Sequence, residues 1–86
     1  MRYTLRQLEV FLGIAHQQNV SKAAKALNLS QSAASSALKE LEQQFDVQLF
    51  DRIGKRLQLN EQGRLIRPKA ESLLAQAADL EQTLLK

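Results

Sequence analysis

The chain has 86 residues, 44% of them hydrophobic, with no cysteine and a net charge of +3. A chain this short folds as one small domain that buries only about 60% of its unfolded surface, so the core is thin and a partner or a long packed helix must add stability. The missing cysteine excludes disulfides and thiolate metal sites, and nothing resembles a signal peptide or the roughly 20-residue apolar run that spans a bilayer, so the expectation is a soluble cytoplasmic domain with no membrane partner.

Thr4 followed by Gln7 forms a capping-box pattern, which predicts a first helix from Leu5 to about Gln18. Leu8, Phe11, Leu12 and Ala15 make its apolar stripe. Gly13 inside it costs about 1 kcal/mol against alanine, so it should mark a close approach by another element. His16, the only histidine, has no companion ligand and reads as a solvated or core-edge residue.

Ser21 is the expected cap of a second helix whose buried side is Ala23, Ala24 and Leu27. Asn28 tolerates the left-handed conformation that ends a helix, and Ser30 caps a third helix, leaving only Asn28 and Leu29 between the two. A joint that short forces a steep crossing, the helix-turn-helix arrangement. On the third helix Ala34, Leu38, Leu41 and Phe45 share one arc and should face the core. Ser32, Ser35, Ser36, Lys39 and Gln43 fall on nearly the opposite side, with Gln31 at the N-terminal edge. A merely solvated face usually carries Glu/Lys pairs. Short hydroxyls instead let a helix backbone approach the base edges of a DNA major groove.

Leu49 to Ile53 and Arg56 to Leu59, joined by Gly54-Lys55, read as a two-stranded hairpin with a type II′ turn, its tip and arms carrying Arg52, Lys55 and Arg56. A basic hairpin after a helix-turn-helix is a wing that follows phosphates or enters the minor groove. Asn60 caps a last helix running to the end of the chain. Along it Ile66, Ala70, Leu73, Ala77, Leu80 and Leu84 alternate steps of four and three, a heptad seam for self-association, with Leu74 and Leu85 beside it. Pro68 removes the bond to the carbonyl of Arg64, which predicts a kink or a short break. The charge is uneven: residues 1–69 hold eleven Lys/Arg against six Asp/Glu, a balance of +5, and residues 70–86 one against three, a balance of −2. A basic body with a mildly acidic end suits a polyanion at one end only.

The segments LRQLEVF, SKAAKALNLSQSAASSALKELE, LFDR and LNEQGR, in this order and spacing, resemble the N-terminal DNA-binding domain of LysR-type transcriptional regulators over essentially the whole chain. The resemblance implies a mainly α fold: a winged helix-turn-helix, with a three-helix core and a two-stranded wing, over residues 1–60. A long linker helix over 61–86 would then pair two chains. It also implies a tetrameric full-length regulator with a C-terminal domain of periplasmic-binding-protein type that senses a small-molecule effector. None of that domain is in this chain, which reads as an isolated DNA-binding piece. Carried over by position, Gln31, Ser32, Ser35 and Ser36 match the base-reading stretch, Ser30 its cap and Arg52 the arginine of the wing strand. Many members have proline where Ser32 stands and arginine where Ser36 stands. Arginine is the strongest direct reader of guanine, so shape readout through the wing should carry more of the specificity here.

The expected function is therefore sequence-specific binding of double-stranded promoter or operator DNA by a bacterial regulator, as a homodimer on an imperfect palindrome. Ser30, Arg52 and Lys55, together with Arg6 and Lys39, are the expected phosphate contacts. The rival reading is a protein-interaction module on the same scaffold, because fold does not fix function. Catalysis is disfavoured: there is one histidine, no cysteine and no glycine-rich phosphate loop, and Glu40 and Glu42 point about 160° apart on a helix. No catalytic residue, cofactor or metal site is expected.

Overall fold

The computed structural model describes all 86 residues. In chain order the elements are α1 (Leu5–Gln17), α2 (Val20–Ala26), α3 (Gln31–Gln44), β1 (Phe50–Ile53), β2 (Arg56–Leu59) and α4 (Glu61–Leu84). The capping box at the start of α1 is formed: the Gln7 N–H donates to Thr4 Oγ1 and the Thr4 N–H to Gln7 Oε1, both at 3.1 Å. Gln18 ends α1 with φ +58°.

The cap of α2 differs from the expectation. Asn19, extended at φ −159°, accepts the Lys22 N–H at 2.8 Å, and Ser21 lies inside the helix. Both residue types cap well. The left-handed turn at Gln18 lets the chain enter a helix at once, so the earlier residue takes the role. The α2–α3 joint follows the sequence reading. Asn28 adopts φ +58°, the Leu29 N–H reaches back to the Ala24 carbonyl at 2.8 Å and the Asn28 N–H to that of Lys25 at 3.2 Å. These two bonds make a Schellman closure. Ser30 then caps α3 by accepting the Ala33 N–H at 3.1 Å.

Leu8, Val10, Phe11 and Ile14 of α1 lie at the centre of the core, against Ala23 and Ala24 of α2 and Ala34, Leu38 and Leu41 of α3. Phe11 tilts against Phe50 of β1 with ring centroids 5.6 Å apart. Phe45, expected in this core, is 43% exposed. It stands one residue beyond α3, where no further turn covers it, and leans on Tyr3 at 6.4 Å. Gly13 meets α2 only at ordinary contact: a Cβ there would lie 3.4 Å from Leu27 Cδ1 and 3.5 Å from Ala23 Cβ.

Phe50 pairs with Leu59 and Ile53 with Arg56, so Gly54 and Lys55 form a two-residue turn. Gly54 has φ +63° and Lys55 has no positive φ, the combination a type II′ turn requires. Leu49 lies just outside the ladder, its N–H bonded to Glu42 Oε2 at 2.8 Å. The Leu57 N–H donates to the Gln18 carbonyl at 3.0 Å and fastens the hairpin to the end of α1.

Asn60 does two things at the start of α4: Oδ1 accepts the Gly63 N–H and Nδ2 donates to the Gln48 carbonyl, each at 2.8 Å. A Cβ on Gly63 would collide with the Leu49 carbonyl oxygen and come within 2.8 Å of Leu59 Cδ2. Only glycine lets α4 start this close to the body. Of the kink or short break expected at Pro68, the break does not occur, and α4 runs on through it. One ladder bond is lost, but Ala70 is 1% exposed just beyond and pins the following turn to the core. No helix is long and apolar enough to cross a membrane.

Candidate nucleic-acid interface

Side chains on α3 divide as the helical spacing predicts. Ala34, Leu38 and Leu41 are buried, while Gln31, Ser32, Ser35, Ser36, Lys39 and Gln43 are exposed. Gln31 is the first residue of the helix, with Ser30 as its cap, so both sit where the N-terminal end of α3 meets solvent. Two contacts order this end. The Ser21 hydroxyl donates to Gln31 Oε1 at 2.8 Å, and the Ser30 and Ser32 hydroxyls lie 3.3 Å apart. The acids stay off the hydroxyl face: Glu42 is bonded to the Leu49 N–H, and Glu40 Oε2 lies 3.4 Å from Gln7 Nε2.

Arg52, Lys55 and Arg56 are all exposed on the hairpin. The structure has two ion pairs, Arg6 with Glu9 at 4.0 Å and Arg67 with Glu71 at 3.7 Å. Lys39, Arg52, Lys55 and Arg56 therefore form no ion pair with an acid of this chain, whereas Arg6 on α1 is loosely paired. Both α3 and β2 pack against α1, so one helix supports the hydroxyl face and the basic hairpin together. The wing also holds Asp51 and Ile53, the latter 55% exposed opposite Arg56. Strand alternation puts these two on the face away from Phe50, a signal the basic residues overshadow in the sequence.

The seam on α4 falls into two stretches. Ile66, Ala70 and Leu73 line an apolar cavity of about 350 Å³ with Tyr3, Leu41 and Phe45. Ala77, Leu80 and Leu84 line a shallower groove with Leu5. All six positions of the seam thus border apolar hollows, and Leu80 and Leu84 are 60% and 75% exposed.

Residues 5–64 match the family model described as bacterial regulatory helix-turn-helix protein, lysR family. The chain belongs to this family. Among its curated relatives is an uncharacterized HTH-type transcriptional regulator, YeiE of Escherichia coli strain K12, 55% identical over 82 residues. That match covers 95% of the chain and 28% of the relative. The RuBisCO operon transcriptional regulator of Allochromatium vinosum is 34% identical over 84 residues, 98% of the chain and 28% of the relative. This lysR-family chain thus spans little more than a quarter of the length of these relatives.

Among solved structures, a mutant of Corynebacterium glutamicum OxyR superposes with a TM-score of 0.94 and 32% identity, over 100% of this chain and 27% of that one. The BenM DNA-binding domain, solved in complex with the benA site 1 DNA, gives a TM-score of 0.87 at 25% identity and covers 94% of this chain and 91% of that one. Full-length CbnR, solved with its target DNA, gives 0.85 at 28% identity, over 93% and 28%. The named relatives are transcriptional regulators.

One contact at the N-terminal end of α3 is not legible in the sequence: Ser21 reads there as a helix cap, yet its hydroxyl touches Gln31. The clue was the competing Asn19 two positions earlier, which frees the serine hydroxyl for another partner.

Proposed function

We propose that this chain binds double-stranded DNA in a sequence-specific way, as the DNA-binding part of a bacterial transcriptional regulator. The observation that carries the reading is the exposed face of α3, with Gln31, Ser32, Ser35, Ser36 and Lys39, together with a hairpin supported on the same helix α1 whose Arg52, Lys55 and Arg56 have no acidic partner. Ser30, the cap of that helix, and Arg6 of α1 are further phosphate contacts in this reading. BenM and CbnR, with which the fold superposes, were solved on DNA. In this reading residues 1–60 hold the DNA and residues 61–86 link two copies through Ile66, Ala70, Leu73, Ala77, Leu80 and Leu84. Two recognition helices then enter successive major grooves about 34–36 Å apart on an imperfect palindrome. In the whole regulator, a tetramer in the cytoplasm, a further domain would bind the small-molecule effector.

Titration of duplex DNA across salt tests the electrostatic part. Apparent affinity should fall steeply between about 50 and 200 mM salt, because each neutralised phosphate releases a counterion. A nearly flat profile refutes the reading. Arg52→Ala should weaken specific and random duplexes alike, whereas Gln31→Ala should lose mainly the specific site, by about 1–3 kcal/mol.

A further inference from the structure

We propose that Ser21, a residue of α2, is a positioning residue for base recognition: its hydroxyl holds the Gln31 carboxamide so that α3 offers a fixed donor–acceptor edge to the groove, matched to adenine. The inference rests on the reading of α3 as the DNA-reading helix and adds to it a residue outside that helix. Three observations carry it. Asn19 caps α2, so the Ser21 hydroxyl is not consumed by the helix terminus. That hydroxyl donates to Gln31 Oε1 at 2.8 Å across the α2–α3 joint. Both residues are exposed, so the bond is not one the core requires.

The bond matters because of what it leaves over. A carboxamide oxygen has two lone pairs and its nitrogen two hydrogens. With one lone pair taken by Ser21, Gln31 keeps one acceptor site on Oε1 and both donors on Nε2. Adenine in the major groove presents a donor at N6 and an acceptor at N7, and a glutamine amide meets both when its plane is set. A free glutamine on the first turn of a helix would have to give up rotamer freedom on binding. Ser21 removes part of that loss beforehand by fixing which end of the amide points outward. The short joint closed by the Asn28 turn keeps the two residues at this separation.

The test selects binding sites from a random-sequence duplex library with the full chain and with Ser21→Ala, Ser21→Thr, Gln31→Ala and the Ser21→Ala/Gln31→Ala double variant. In Ser21→Ala, base preference at the position that Gln31→Ala degrades should fall by about threefold to tenfold, the worth of one hydrogen bond. Binding to random duplex should stay within about twofold, since phosphate contacts dominate it. Ser21→Thr should keep the preference, and Ser21→Ala should change nothing further in the Gln31→Ala background. Equal weakening on every sequence would make Ser21 a phosphate contact and overturn the positioning role, as would an undiminished effect without Gln31. A recovered motif with an unaltered Ser21→Ala profile refutes the role of Ser21 alone. Failure of the unmodified chain to enrich any motif refutes the DNA reading with it.

Discussion

The two ends of α4 carry the same heptad spacing and meet opposite surroundings. Ile66 and Ala70 pack onto the body beside Leu41 and Leu49, whereas Leu80 and Leu84 stand in solvent. Nothing in the side chains distinguishes them. Length does: the helix has 24 residues, and at 1.5 Å each its roughly 36 Å exceeds two of the molecule's three extents, 47, 25 and 19 Å, so it lies along the long axis and its far end passes beyond the buried core. An apolar stripe therefore records which face of a helix avoids water, and the rest of the molecule decides how much of it finds cover.

Four variants would break or sharpen that contrast. The largest effect is expected at Phe11→Ala, which empties the centre of the body at a cost of about 3–5 kcal/mol and should leave so small a domain largely unfolded by circular dichroism. Gly63→Ala comes next, at about 1–3 kcal/mol, because the clash is with the backbone carbonyl of Leu49 and cannot be relieved by a rotamer change. A melting temperature unchanged in that variant would show that α4 is not seated where the contact places it. Gly13→Ala should act in the opposite direction. Its new methyl meets Leu27 and Ala23 at ordinary contact, so urea denaturation should show a gain of up to about 1 kcal/mol from helix propensity. Smallest in stability is Leu80→Gln with Leu84→Gln, within about 0.5 kcal/mol for dilute protein, as exposed positions usually are. Its readout is sedimentation: the mass should fall from dimer to monomer, and an unaltered mass refutes association through the far half of α4.

The features legible in the sequence are those set by a few neighbouring residues. Thr4 with Gln7, Asn28, Ser30, Gly54-Lys55 and Asn60 each specify a cap or a turn through bonds within their own stretch, and all form as read. The outward face of α3 was legible because a helix repeats every 3.6 residues wherever it lies. What was not legible depends on what comes from elsewhere in the chain. The rule that a helical glycine marks a close approach fails at Gly13, whose neighbours lie at ordinary contact distance. It holds at Gly63, because the carbonyl that fills the space belongs to Leu49. Phe45 has the right angle for the core but lies past the end of its helix, and angle alone carries no information about ends.

Asn60 grips the chain on both sides of the wing, holding the Gln48 carbonyl before it and the Gly63 N–H after it. Gly63 and Ala70 then hold the start of α4 against the body, so in the proposed twofold pair the free arm is the stretch beyond Ala70, about 21 Å long. A tilt of about 10° in that arm would swing its tip by about 3.6 Å, one base-pair step of about 3.4 Å. The phasing of two half-sites along a duplex would then depend on how firmly Asn60, Gly63 and Ala70 together fix the angle at which this helix leaves the body.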